Sequence, residues 1–181
     1  DDPAGSPADV SRPGVPTMDE HSIVTALNAT WFGAGLPPET QVRLAGLARV
    51  DQRPSGIELF HEGELNDEFS VILKGRVALR LLVPERGMVT ILTVDPGDIL
   101  GWSSIVPPHR ATSTAVTIEP IEALVFDGAD LRALLRSDHA LAASIYPRIL
   151  QAVSRRLTAT RMQLLDLFAR ETVSVADLRS W

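Results

Sequence analysis

Between residues 48 and 126 the chain runs as short apolar stretches broken by glycine and proline, and this rhythm limits the fold more than any other feature. The stretches read IELF (57–60), FSVILKG (69–75), RVALRLLV (76–83), MVTILTV (88–94), TSTAVTI (112–118) and ALVF (123–126). Between them lie Glu62-Gly63-Glu64, Gly75, Pro84 to Gly87, Pro96-Gly97, the segment 97–110 and Glu119-Pro120. Several short strands with such punctuation predict an antiparallel roll or barrel.

On either side the period changes to helical. Ile23, Ala26 and Leu27 share one face of a first helix, which breaks at FGAGLPPET. A second begins at Glu39 or Thr40 and carries Val42, Leu44, Leu47 and Val50. After Asp127 a short helix is expected around Ala129–Leu135, then a long one from about Asp138 to Ala169. Pro147 is expected to kink this long helix or mark its true start. Past it Leu150, Val153, Leu157, Thr160, Leu164 and Leu167 step by threes and fours, with Tyr146 one turn earlier. That spacing is a heptad seam, and it predicts either a homodimer contact or packing on the chain's own roll. Ile145, Ile149, Ala152 and Leu165 form a second apolar face that suits the roll, so the helix reads as one with two partners. The expected organisation is a tail at 1–17, a roll with N-terminal helices at 18–136, a dimerisation helix at 137–170 and a tail at 171–181.

Composition removes several function classes. The net charge of −6 argues against a nucleic-acid surface. The chain has no cysteine, which excludes disulfides, thiolate chemistry and cysteine-built zinc sites. Its four histidines, at 21, 61, 109 and 139, are scattered singly, whereas a metal site needs three or four converging ligands. GWSS (101–104) is not followed by the glycine of a nucleophile elbow. No apolar run approaches the roughly 18–20 residues of a membrane span, and no secretory pattern opens the chain. The expectation is a cytoplasmic non-enzyme without metal or membrane contact.

The stretch GDILGWSSIVPPHRATSTA (97–115) carries the chemistry. Gly97 and Gly101 permit close backbone approach, so that N–H groups gather in a turn, and Arg110 is positioned to complete an anion site. With LFHEGELNDEFSVILKGRV (59–77) and SRRLTATRMQLL (154–165), this stretch resembles the cyclic-nucleotide-binding domain of the catabolite-activator (Crp/Fnr-like) type. The likeness spans roughly residues 20–168 and rests on the three motifs together.

The resemblance implies a mainly β fold with flanking helices: a jelly-roll-like β-roll (double-stranded β-helix) with N-terminal helices and a long C-terminal helix. It also implies a phosphate-binding cassette at Gly97, Gly101, Trp102, Ser103, Arg110, Ala111 and Thr112. Base contacts would come from Leu79, Ile91, Val94 and, on the long helix, Thr160 and Arg161. Several of these positions depart from the family's pattern. Trp102 stands where a glutamate accepts the ribose hydroxyl, and indole can only donate. Losing a charged acceptor costs about 1.5–3 kcal/mol, roughly one to two decades of affinity. Ala111 replaces a Ser or Thr, Arg161 a small polar residue, and Pro107-Pro108 stiffens a loop that is longer and more flexible in the family.

Two readings stand. One is a regulatory sensor module that binds a cyclic nucleotide (cAMP or cGMP) or another small anion around Arg110, with altered specificity. The other is a ligand-free roll serving as a dimerisation or docking subunit. Relatives with an LGWS…PP cassette look like companions of redox enzyme systems, which implies a protein partner of that kind. Arg155, Arg156 and Arg161 read as a solvated basic face. After the long helix only RETVSVADLRSW (170–181) remains, so DNA binding by this chain alone is not expected.

Overall fold

The computed structural model describes residues 18–177, with side chains as far as Met162. The expected tail at 1–17, the end of the chain past 177, and the side chains of Leu164, Leu165 and Leu167 lie outside the described residues.

Two helices open the described chain, α1 (Glu20–Asn28) and α2 (Pro38–Ala45). Eight strands follow: β1 (Arg49–Arg53), β2 (Glu58–Phe60), β3 (Glu68–Lys74), β4 (Val77–Val83), β5 (Gly87–Val94), β6 (Ile99–Leu100), β7 (Thr114–Thr117) and β8 (Ile121–Asp127). Helices α3 (Gly128–Ser137) and α4 (His139–Asp177) close it. The strands form two four-stranded antiparallel sheets in the orders β1-β8-β3-β6 and β2-β7-β4-β5. This is the mainly β roll with flanking helices that the punctuation predicted.

The central strands β3 and β8 of the first sheet are apolar on both faces because their side chains alternate between two cores. On β3, Phe69 and Val71 face the helices, while Ile72 faces the inside of the roll; on β8, Leu124 and Phe126 face the helices, and Ala123 and Val125 face inward. Phe69 sits between Phe32 and Phe126, with ring centroids 5.4 and 6.0 Å away. Ile23 and Leu27 of α1, Leu131 and Leu135 of α3, and Ile145, Ile149 and Ala152 of α4 complete that helical layer. The roll-facing stripe read from the sequence is therefore in place as far as the side chains are described. The second sheet has no such cover, and Leu82, Met88 and Ile118 are exposed on it.

Three boundaries differ from the sequence reading. The second helix stops at Ala45, capped by Gly46, and Val50 belongs to β1, where it pairs with Leu124. Val42 is exposed; the buried positions of α2 are Thr40, Gln41, Leu44 and Ala45. The long helix begins at His139 and passes through Pro147, so this proline does not mark its start, and it runs to Asp177 rather than stopping near 170.

Candidate functional site

Strand β6 leads into the cassette by pairing with Ser70 and Val71 of β3. Gly101 then takes a left-handed conformation at φ 74°. A Cβ there would lie 2.2 Å from the Glu68 carbonyl oxygen and 2.9 Å from Asn66 Nδ2, so only glycine fits. A single 3₁₀ turn, Trp102–Ser104, follows. Asn66, almost fully buried, donates to the Gly101 carbonyl at 3.1 Å and to Ser103 Oγ at 3.2 Å. Ser104 Oγ donates to the same Gly101 carbonyl at 2.8 Å, and Arg132 of α3 donates to the Ser104 carbonyl. Gly97 closes the preceding turn at φ 91° and donates its N–H to Ile72 at 2.7 Å. Gly97, Gly101 and Ser103 are thus the frame of the cassette, tied to the first sheet.

Beside this frame a cavity of about 280 Å³ opens between the second sheet and α4. Leu79 and Leu81 of β4, Ile91 and Leu92 of β5, and Val153 and Leu157 of α4 form its apolar walls. Its polar groups are Trp102, Thr112, Ser113, Arg156 and Thr160. Five of the sequence-derived site residues therefore meet here: Leu79, Ile91, Trp102, Thr112 and Thr160. Thr160 Oγ1 is itself occupied, donating to the Arg156 carbonyl at 2.9 Å.

Four further expected site residues lie outside the cavity lining. Arg110 is exposed and does not line the cavity; its Nη1 donates to the Gly63 carbonyl at 2.7 Å, and its backbone bridges to Leu65. The antiparallel exchange between residues 63–66 and 109–111 turns this arginine toward the β2–β3 turn. Within it Gly63 N–H donates to the Ala111 carbonyl and Ala111 N–H to Glu64, each at 2.8 Å. Ala111 is buried in that contact rather than facing the cavity. Val94 points into the inner core and the groove along α4, and Arg161 is exposed.

Arg156 is the residue that sequence reasoning misplaced. It is not part of a solvated face: it lines the cavity, and its Nη2 donates to the Ile99 carbonyl of β6. Burial pushes its guanidinium down to about 10, with only the more distant charge of Asp98 opposing. The signal was present in the sequence, since Arg156 lies one helical turn before Thr160 and so shares its face. Its neighbour Arg155 instead lies over the Trp31 ring, 4.4 Å from the centroid, and 4.0 Å from Asp98. The heptad seam also divides. Tyr146 and Leu150 are exposed, joined by Met162, whereas Val153 and Thr160 reach the cavity; Leu157 is half exposed and also borders the cavity.

Other sites are poorer. A cavity of about 80 Å³ between the sheets has Asp51 and Arg53 at its wall, but these pair with each other at 2.7 Å. Among the described residues no group of three or more His, Cys, Asp or Glu could hold a metal, and no helix is long and apolar enough to cross a membrane.

Together these elements make a β-roll closed by a long helix, with a glycine-framed turn beside a largely apolar cavity. Residues 52–138 match the cyclic nucleotide-binding domain family, and the chain's relatives include CRP-like regulators. A CRP-like cAMP-activated global transcriptional regulator of Mycobacterium tuberculosis is 33% identical over 134 residues, which is 74% of this chain and 58% of that protein. The cyclic AMP receptor protein of Thermus thermophilus is 32% identical over 127 residues, 65% of this chain and 56% of that one. The chain thus spans less than three-fifths of these relatives. Among solved structures, a cyclic nucleotide-binding domain from Methylobacillus flagellatus superposes with a TM-score of 0.69 at 23% identity, covering 81% of this chain and 83% of that one. The catabolite activator protein of Thermus thermophilus gives 0.59 at 24% identity, over 75% and 62%. These two likenesses establish the fold.

Proposed function

We propose that this chain is a regulatory sensor module whose cavity beneath α4 captures a nucleotide or another small anion, with specificity for cAMP or cGMP altered or lost. The observation that carries this reading is the cavity: about 280 Å³, apolar on most sides, with hydroxyls and one cation on the rest. Its roof is α4, so ligand contacts act directly on the element that presents the exposed stripe Tyr146, Leu150 and Leu157. A ligand that prefers one placement of that helix shifts the population toward it. The stripe itself suits a homodimer, which would make the helix position a signal between subunits or toward a protein partner, for which a redox enzyme system is our expectation.

Calorimetric titration with cAMP, cGMP and nucleoside monophosphates tests the reading. Saturable heat with any of them at up to millimolar ligand supports it; none with all of them defeats it. Trp102→Glu restores a ribose acceptor, and it is expected to raise affinity for cAMP by about one to two decades. The dimer is tested separately with Leu150→Glu, which is exposed and outside the cavity; sedimentation is expected to show monomer, and an unchanged dimer refutes the seam.

A second reading has its own observation. Arg110 turns to the Gly63 carbonyl and away from the cavity, and Trp102 takes the ribose acceptor's place, so a roll that only docks or dimerises is consistent with the cassette. Its signature is an intact dimer with no ligand response.

A further inference from the structure

A cation enclosed without a counter-charge is costly, and chains keep one where something else neutralises it. Arg156 is such a cation. It borders the cavity, and among the described residues no carboxylate lies within 4 Å of its guanidinium. Asp98 borders the groove along α4 with Arg156 and acts on it through its charge without pairing with it, and it lies 4.0 Å from Arg155. Of the five N–H donors of the guanidinium, one donates to an acceptor among the described residues, the Ile99 carbonyl. Around it stand Thr112, Ser113 and Thr160, and opposite lie Leu79, Leu81 and Ile91.

We propose that the anion site of this cavity is Arg156 on α4 rather than Arg110 on the cassette, and that the ligand is a compact anion with an apolar, planar body. This deepens the sensor reading and rests on it. The chemistry follows from the lining. A carboxylate, sulfonate or phosphate monoester takes the free edge of the guanidinium in a charge-assisted contact. The body of the ligand is left against leucine, isoleucine and the Trp102 indole, a surface with no acceptor for a sugar hydroxyl. Because Arg156 belongs to α4, the ligand's charge attaches to the helix itself.

The test uses three probes, 1-naphthoate, its uncharged counterpart 1-naphthamide, and cAMP, titrated calorimetrically into the wild-type chain, Arg156→Met and Arg110→Ala. The expected result is naphthoate bound roughly tenfold or more tighter than the amide, a preference erased in Arg156→Met and kept in Arg110→Ala. Arg156→Met matches the length of the side chain and removes an uncompensated cation, so the unliganded melting temperature is expected not to fall. Arg156→Gln, which retains a donor for the Ile99 carbonyl but no charge, must give the same loss of preference if the methionine variant folds poorly. Equal binding of acid and amide overturns the proposal, as does a preference that follows Arg110 instead. Binding of cAMP that depends on Arg110, without naphthoate binding, overturns the proposal while leaving the sensor reading intact. No binding of any probe to the wild-type chain overturns the proposal, and with silent cGMP and nucleoside monophosphate titrations it defeats the sensor reading as well.

Discussion

The two sheets of this roll do opposite work with similar sequences. The first is buried on both faces, with phenylalanines at 32, 69 and 126 stacked between it and the helices. The second is covered on its inner face alone and leaves Leu82 and Met88 in solvent. The cavity lies against this second sheet, while the cassette frame is bonded to the first. The well-packed wall therefore carries the frame, and the thinner wall, with α4 above it, encloses the cavity. Regions of few buried contacts open at lower free energy than the rest of a fold, and binding elements are drawn from them.

This division can be broken by experiment. Phe69→Ala in the double-faced sheet is expected to cost about 3–5 kcal/mol in chemical denaturation. Leu82→Ala in the other sheet is expected to stay within about 0.5 kcal/mol. Similar costs for the two would erase the distinction. Gly101→Ala comes next. It combines a left-handed backbone with a collision at the Glu68 carbonyl, and a loss of about 2–4 kcal/mol is expected. A smaller loss would show that the cassette frame yields. Asn66→Ala leaves the Gly101 carbonyl and Ser103 hydroxyl short of a buried donor, and about 1–3 kcal/mol is expected by the same assay.

The smallest effect is at one end of the central strands of the second sheet, beside β4 and β7. Arg76 donates to Glu119 and holds its carboxyl below the ordinary 4.5. A depressed folded value means that the pair's contribution is present above the unfolded value and fades as pH falls through the folded one. The melting temperatures of wild type and Glu119→Gln are thus expected to differ slightly at about pH 6 and to converge toward about pH 3. A constant gap would remove titration of this carboxyl as the cause.

Most of the roll was legible because alternation and turn residues report strands directly. Two strands were not. β1 reads RVDQR, and its buried aspartate is tolerated through pairing with Arg53, a tertiary fact with no local pattern. β6 has two residues, too short for any period. Within the site, the glycines and Trp102 could be placed because backbone demands and chain order fix them. The side-chain direction of Arg110 could not, since it depends on the exchange of hydrogen bonds with residues 63–66. Arg156 was misread for a related reason. An arginine beside two others looks like a wet face until the helix is rotated against its roll.

Trp102 also gives the molecule an optical consequence. Its indole borders the cavity, whereas Trp31 lies apart under the Arg155 guanidinium. Of the chain's three tryptophans, Trp102 is the one whose emission should change colour when the cavity fills, against a background that includes Trp31. The chain thus carries its own dye at the place where occupancy matters, and replacing Trp102 by phenylalanine would switch that dye off.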